Sequence, residues 1–245
     1  MDVVQRVDDV AGRVRAILGY PSTCTGRRTV SSSRRPATSP SELLDRHAGC
    51  PPGHINHTSL RDTLQQLGGK PAVILETGSS AWGVNSTCLW DAYVRQYGGS
   101  VSSVDIRRAP SRVLRKEVSS ATTLVTDDSV RFLDRWRRMH PNARVDLVYL
   151  DSWDLDPRSP TPAALHCVRE YEAIAPLLRD GSLLLVDDTP GSTEWLTTDL
   201  ATEADAYHRR HGLWPGKGML LDLVLAPHPR VTKLHHRYQT LYRFD

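Results

Sequence analysis

The residues best suited to chemistry are three aspartates, Asp151, Asp187 and Asp188. Residues 145–151 read VDLVYLD and residues 182–188 read SLLLVDD, and each run has the length and composition of a buried strand. Ligands of open α/β sheets bind beyond the carboxyl ends of the strands, so we expect these carboxylates to lie together in a site. Three adjacent carboxylates repel one another, and a divalent cation that prefers oxygen ligands relieves the repulsion. The doublet aligned with a third acid therefore predicts a Mg²⁺ site, although single acids at strand ends are commonly helix caps or surface charges.

A glycine turn and a second set of acids predict a nucleoside site. Gly78 lies in ILETGSSAWGVNST (74–87), just after an apolar strand, where the lack of a Cβ lets a ligand approach the backbone. Glu76 precedes it and could fix the loop or bind a ligand amine. Asp105 ends the strand SVSSVD, where a carboxylate can accept both ribose hydroxyls or can cap the next helix. The turn matches neither GxGxxG nor a P-loop, which disfavours a phosphate ligand.

The segment TDDS at 126–129 is ambiguous in the same way. Asp128 could receive an adenine amino group, and Ser129 could cap the helix that follows. The sequence alone leaves both interpretations open.

An alternation of strands and helices positions these residues from about residue 41 onward. Two helical patterns come first, and five strand–helix units follow them. The tail then gives two runs predicted as strands and separated by a turn, which indicates a parallel sheet with an antiparallel edge. The predicted strands are 72–76, 100–105, 122–126, 145–151, 182–188, 218–227 and 235–244.

The first fifty residues differ from the rest in composition. Apolar residues at helical spacing predict a short amphipathic helix over 3–18, and the Ser, Thr, Arg and Pro-rich segment 21–42 is typical of a flexible linker. We therefore predict an arm at 1–50 and a domain at 51–245. The arm either covers the site or joins a homodimer, and the sequence does not choose between these.

Charge and cysteine usage restrict the class of partner. Residues 1–50 hold 8 basic and 5 acidic residues, which leaves 23 of each in the remainder, so we expect neither nucleic acid nor a membrane as the main partner. The four cysteines form no CxxC pair and are interpreted as reduced thiols. With no signal-peptide pattern and no apolar run of membrane-spanning length, the expected location is cytoplasmic.

The order of ETG turn, acid-tipped second strand, LDSWD, LLLVDD and a final strand pair resembles the class I S-adenosylmethionine-dependent methyltransferases over roughly residues 70–245. Within that class it is similar to the metal-dependent O-methyltransferases of the catechol and macrocin types. The resemblance implies an α/β Rossmann-like fold, with a mostly parallel seven-stranded sheet, an antiparallel edge strand and helices on both faces. It also implies S-adenosylmethionine as cofactor and Mg²⁺ or another divalent cation as its companion.

The resemblance also assigns the site residues. Cofactor binding falls to Glu76, Gly78 and Ser79 near the methionine part, Asp105 at the ribose, and Asp128 and Ser129 near the adenine, while Asp151, Asp187 and Asp188 bind the metal.

The predicted reaction is methyl transfer to a hydroxyl of a small natural product or sugar. A metal-bound acceptor oxygen is a better nucleophile, and a nearby base takes its proton. Catechol O-methyltransferase has a lysine three positions after its first metal aspartate, but this chain has Asp154 there, so the base is not transferable. The candidates are His166, His57 and Asp154, with His54 and Lys217 as further possibilities.

Three other functions remain open on sequence grounds. The DLD at 154–156 is a short DxD of the kind that holds a metal and a nucleotide sugar in glycosyltransferases. A hydroxylase, or a non-catalytic binding protein, could use the same fold, because a fold does not fix a function.

Overall fold

Seven strands form one sheet in the order β3-β2-β1-β4-β5-β7-β6. The computed structural model describes residues 39–79 and 84–245, so the predicted helix at 3–18 and most of the linker lie outside the described residues. The strands are β1 (Ala72–Thr77), β2 (Gly99–Asp105), β3 (Thr122–Thr126), β4 (Leu147–Leu150), β5 (Leu183–Val186), β6 (Val231–His236) and β7 (Thr240–Phe244). The helices are α1 (Pro40–His47), α2 (His57–Leu67), α3 (Ser86–Tyr97), α4 (Arg108–Leu114), α5 (Ser129–Met139), α6 (Thr161–Ile174), α7 (Thr198–His211) and α8 (Met219–Leu225).

The direction of the strands confirms the predicted fold class. Strands β1 to β5 pair in parallel, and β7 pairs antiparallel with both β5 and β6. The antiparallel strand thus lies second from the edge, and β6 forms the edge itself. The chain has an α/β Rossmann-like fold.

Alternation of side chains explains why the central strands are apolar throughout. In β4, Leu147 and Tyr149 point into the core on one face of the sheet, whereas Val148 and Leu150 point into the core on the other. Successive side chains of a strand face opposite sides, so a strand covered by helices on both faces needs apolar residues at every position. The same division holds along β5.

Helix α1 belongs to the folded unit, although the sequence placed it in the arm. It begins with a capping box in which the Ser39 hydroxyl accepts from the Glu42 amide and the Glu42 carboxylate accepts from the Ser39 amide. Leu43 and Leu44 are buried in the same core cluster as Ile74 of β1. Helix α1 therefore contributes to the core of the domain that the sequence predicts at 51–245.

The strand predicted at 218–227 is wrong. Residues 219–225 form helix α8, and the final pair is made by β6 and β7, which the predicted strand at 235–244 straddles. In α8 the side chains of Leu221 and Leu225, four residues apart, are buried, while Leu223 and Val224 are exposed. That spacing is helical and buries one face of the segment.

In the described part of the chain no helix is long and apolar enough to cross a membrane. Cys50, Cys88 and Cys167 are buried there, and none of them forms a disulfide with another described residue.

Candidate active site

The functional residues are neighbours because the strands end in register. Thr77 of β1 pairs with Val104 on one side and Leu150 on the other, and Leu150 pairs with Val186. The residues that come next are Gly78, Asp105, Asp151 and Asp187. They therefore stand in a row across the carboxyl edge of β2, β1, β4 and β5, as the sequence predicted for parallel strands.

Glu76 is a buried acid whose hydrogen bonds connect the segments around the glycine turn. Its side chain is fully buried and accepts hydrogen bonds from Ser86 at 2.6 Å, Thr87 at 2.5 Å and Ser103 at 2.5 Å. Burial raises the pKa of Glu76, and the three hydroxyl donors offset part of that rise. Glu76 thus ties β1 to the start of α3 and to β2. Ser79, also predicted as a cofactor residue, is buried and lies 2.7 Å from the Ser103 hydroxyl.

Gly78 allows close contact between two parts of the chain. Its φ of +83° lies in the left-handed region, and a Cβ added there would stand 2.2 Å from the carbonyl oxygen of Asp151. A side chain at this position would push the ends of β1 and β4 apart. The sequence prediction assigned the glycine to ligand approach, whereas the structure shows a requirement of the fold itself.

Asp105 presents a carboxylate at the tip of β2. It is 5% exposed, and its two oxygens accept from the Arg107 amide at 2.7 Å and from the Arg107 guanidinium at 3.0 and 3.1 Å. A carboxylate has about four lone-pair sites, so these three hydrogen bonds leave one site for a ligand hydroxyl. The arginine holds the carboxylate in a fixed orientation.

Asp128 and Ser129 stand at the start of α5. The Asp128 carboxylate caps the helix by accepting from the Arg131 amide at 2.9 Å. The Ser129 hydroxyl lies 2.9 Å from Nε2 of His166. Asp128 therefore caps α5. Ser129, which the sequence suggested as the cap, contacts His166 instead.

Two of the three predicted metal ligands form ion pairs with a lysine, and the third lies beside them. Nζ of Lys217 is 3.0 Å from Oδ1 of Asp151 and 2.9 Å from Oδ2 of Asp188. The lysine side chain is only 3% exposed. Asp187 accepts from the Tyr149 hydroxyl at 2.6 Å and from the Asp188 amide at 2.8 Å. We call Asp151, Asp187, Asp188 and Lys217 the acidic cluster.

The charges of the acidic cluster shift one another's titration. Burial, and then the charge of Asp187, raises the pKa of Asp151 well above its usual range. Burial alone would lower the pKa of Lys217, but Asp188, Asp151 and Asp187 hold it well above its usual range. Lys217 is therefore an ammonium at neutral pH. Among the described residues, no group of three or more His, Cys, Asp or Glu side chains is arranged to hold a metal ion.

The loop that carries Lys217 is held against the loop after β5. The Lys217 amide donates to the Asp188 carbonyl at 2.9 Å, and the Gly218 amide donates to the Thr189 hydroxyl at 2.9 Å. A Cβ on Gly216 would stand 2.9 Å from the Asp188 carbonyl oxygen, and one on Gly218 would stand 2.8 Å from the Thr189 side chain. Both glycines are therefore needed for the two loops to pack closely enough to place Lys217 beside the aspartates.

The predicted bases lie outside the acidic cluster. The ring of His166 lies tilted against that of Trp153, with 5.1 Å between centroids, and its Nε2 is 3.6 Å from Glu170. His57 begins α2, and its Nε2 is 3.7 Å from Asp45 of α1. Asp154 is exposed on the loop after β4, three residues beyond Asp151. In the described part of the chain, none of the contacts of these side chains involves an aspartate of the acidic cluster.

Cys50 also comes close to the site without being reactive. Burial, and then the charges of Asp187 and Asp45, raises the pKa of its thiol to about 12. A thiol in that state is not a nucleophile at neutral pH.

Comparison with known proteins agrees with this geometry. Residues 75–189 match a family model described as a methyltransferase domain. That range contains Glu76 and all the predicted cofactor and metal aspartates, but it ends before Lys217. No curated protein matches the sequence.

Two solved proteins are similar in fold. One is the MycE methyltransferase from the mycinamycin biosynthetic pathway in complex with Mg and SAH, with a TM-score of 0.57 and 18% identity over 85% of this chain and 55% of that chain. The other is the apo form of CalS11, a TDP-rhamnose 3'-O-methyltransferase in calicheamicin biosynthesis, with a TM-score of 0.51 and 19% identity over 76% of this chain and 77% of that chain. The present chain thus spans about half the length of MycE.

Proposed function

We propose that this chain is a class I S-adenosylmethionine-dependent methyltransferase, which transfers a methyl group from this cofactor to a hydroxyl of a small molecule; the methyltransferase-domain match over residues 75–189 and the fold support this. The observation that carries the proposal is the row formed by Gly78, Asp105 and the acidic cluster at one edge of the sheet. It offers a carboxylate for a ribose at one end and a charged cluster at the other.

The row also suggests how donor and acceptor are arranged. Asp105 and the start of α5 lie toward β2 and β3, and we assign the nucleoside to that side. The acidic cluster lies over β4 and β5, and we assign the acceptor hydroxyl to that side. The cofactor supplies the methyl group as an electrophilic sulfonium, and the site must align the acceptor oxygen with it, which accounts for much of the rate of such reactions.

The acceptor hydroxyl must lose its proton, and we propose Asp154 as the base. Its carboxylate is exposed and follows the acidic cluster on the same loop. His166 is engaged by Ser129 and Trp153, and His57 lies beside Asp45, so both have structural partners. A hydroxyl acceptor is consistent with the similarity to CalS11, a TDP-rhamnose 3'-O-methyltransferase.

A divalent cation was the other part of the sequence prediction. The carboxylate oxygens of Asp151, Asp187 and Asp188 are of the type that Mg²⁺ prefers. The solved structure of MycE is a complex with Mg and SAH. In this chain, however, the Lys217 ammonium lies between two of the three carboxylates. This arrangement does not fit a divalent cation bound by all three aspartates. The proposed methyl transfer therefore involves no metal ion.

Calorimetric titration with S-adenosylhomocysteine tests the proposal. We expect micromolar binding by the unmodified protein and about 10- to 100-fold weaker binding by Asp105→Ala, because hydrogen bonds to a charged group contribute about 1.5–3 kcal/mol. Asp180→Asn is the matched control, since Asp180 also pairs with an arginine, at 2.9 Å, but precedes β5 at the opposite end of the sheet. Binding of a nucleotide sugar, with none of S-adenosylhomocysteine, would favour the glycosyltransferase alternative instead.

A further inference from the structure

We infer that the Lys217 ammonium is a built-in substitute for the divalent cation at the acidic cluster, so that this chain binds no metal there. The catalytic consequence, methyl transfer without a metal, rests on the proposed function. The ion-binding part can be tested on its own.

The first support is the spacing of the charged groups. Lys217 contacts Asp151 and Asp188 at 3.0 and 2.9 Å, which is the distance of charge-assisted N–H···O hydrogen bonds. Mg²⁺ binds oxygen at about 2.0–2.1 Å and requires near-octahedral geometry. A cation bound to both carboxylates would have to displace the ammonium and draw the two oxygens together.

The second support is that the carboxylate oxygens already have donors. Both oxygens of Asp187 accept, one from Tyr149 and one from the Asp188 amide. Asp188 accepts from Tyr238 through Oδ1 and from Lys217 through Oδ2. Among the described residues, Oδ2 of Asp151 is the one carboxylate oxygen of the cluster without a close donor, since the Tyr149 hydroxyl is 3.5 Å away. Hydrogen bonds and one ammonium thus replace the coordination that a metal would provide.

The third support is that the lysine is held by its backbone. The Lys217 amide bonds to the Asp188 carbonyl, and Gly216 and Gly218 pack against residues 188 and 189 too closely to admit a side chain. Asp188 has a φ of +43°, a left-handed conformation that is unusual for a residue other than glycine. Two loops are therefore shaped around one another so that the lysine enters the acidic cluster, which an accidental surface contact would not require.

Lys217 acts in this account as a positioning residue. Its charge holds Asp151 and Asp188 together and keeps a fixed positive centre beside the acceptor side of the site. An ammonium has three N–H donors, and these two ion pairs use two of them. The third N–H remains as a donor for an acceptor oxygen that gains negative charge as its proton leaves.

The test is electron paramagnetic resonance of Mn²⁺ mixed with the full-length protein, at about 100 µM of each, where a site of micromolar affinity would capture most of the ion. Four proteins are compared: the unmodified chain, Lys217→Met, Lys217→Arg and Lys233→Met. Lys233 is the matched control, because it pairs with Asp222 at 2.7 Å outside the acidic cluster.

We expect Mn²⁺ to stay free with the unmodified chain, with Lys217→Arg and with Lys233→Met. Lys217→Met should bind one Mn²⁺ per chain and lose it again when Asp187→Asn is added. Binding of one Mn²⁺ by the unmodified chain, abolished by Asp187→Asn, would overturn the inference, as would free Mn²⁺ in every variant. The measurement on the unmodified chain needs no substitution, so the inference stays falsifiable if Lys217→Met does not fold.

Titration with S-adenosylhomocysteine on the same preparations separates this inference from the proposed function. Cofactor binding together with tight Mn²⁺ binding by the unmodified chain would contradict only the role of Lys217. Loss of cofactor binding by the unmodified chain would contradict the proposed function and leave the ion result to be judged by itself.

Discussion

At the scale of single residues, Glu76 shows how burial sets the behaviour of an acid. The side chain has no exposure and receives three hydroxyl donors, two from the start of α3 and one from β2. Because burial raises its pKa, the folded protein holds the Glu76 proton to higher pH than the unfolded chain does. The folded state is then favoured at low pH, and this contribution is lost as the pH rises from the unfolded value of 4.5 through the folded pKa.

Replacing Glu76 by glutamine, which cannot ionise, should make that loss visible. The unfolding free energy of the unmodified chain minus that of Glu76→Gln should fall as the pH rises from about 4.5 to about 7.5, because only the unmodified chain must ionise or retain a buried acid. Urea unfolding at both pH values measures the difference. Glu117→Gln, at an exposed glutamate, should stay within about 0.5 kcal/mol of the unmodified chain at both. A difference for Glu76→Gln that grows with pH would contradict the raised pKa.

The acidic residues of the site could be identified from the sequence. That Lys217 lies among them could not. Asp151 and Asp187 follow strands that pair in parallel, so their proximity follows from the pattern of the sheet. Lys217 was named only as a possible base, because it lies on a loop far along the chain. A lysine between two glycines is the one local signal, and it has meaning only when the docked loop is known.

At the scale of secondary-structure elements, Gly78 decides how closely β1 and β4 approach at the site. Gly78→Ala should lower the unfolding free energy by more than about 3 kcal/mol, since a left-handed alanine costs about 1–2 kcal/mol and its Cβ would also meet the Asp151 carbonyl. Gly53→Ala is the matched control, because Gly53 has a φ of +100° with nothing within 4 Å of an added Cβ. Urea denaturation compares the two variants. Equal losses of unfolding free energy would show that the contact of the added Cβ with the Asp151 carbonyl costs no stability.

Helix α8 shows where an element cannot be assigned from its pattern. In residues 219–225, MLLDLVL, every second residue from Met219 is apolar and Asp222 falls between them, as in a half-buried strand. The same seven residues also place Leu221 and Leu225 one helical turn apart, and this is the pattern that the structure buries. Short apolar runs fit both periods, so only packing against α6 and the sheet decides.

Strand β6 was missed for the opposite reason. Its sequence, VTKLHH, is largely polar, and as the edge of the sheet it has one neighbouring strand, β7. The ends of the central strands β1, β4 and β5 were predicted to within two residues, because each is a continuous apolar run of strand length.

At the scale of the whole molecule, α1 should unfold together with the sheet. Leu44 and Leu147 are both fully buried in one core cluster, although the sequence placed the first in an arm and the second in the domain. Leu44→Ala and Leu147→Ala should each cost about 2–5 kcal/mol in one cooperative urea transition, seen alike by tryptophan fluorescence and circular dichroism. Leu200→Ala, at a position 41% exposed, should cost less than about 1 kcal/mol. A separate early transition caused by Leu44→Ala alone would instead support a boundary near residue 50.

The order of the strands also has a consequence for synthesis on the ribosome. Strand β5 is in the interior of the finished sheet, but its outer partner β7 is the last strand of the chain, and Lys217 is made well after Asp188. A nascent chain that has reached residue 190 therefore presents an apolar strand with an open edge beside three carboxylates that have no ammonium to join them. Open strand edges invite pairing with other chains. Emergence of residues 217–244, which include Lys217 and β7, closes this edge and completes the charged site.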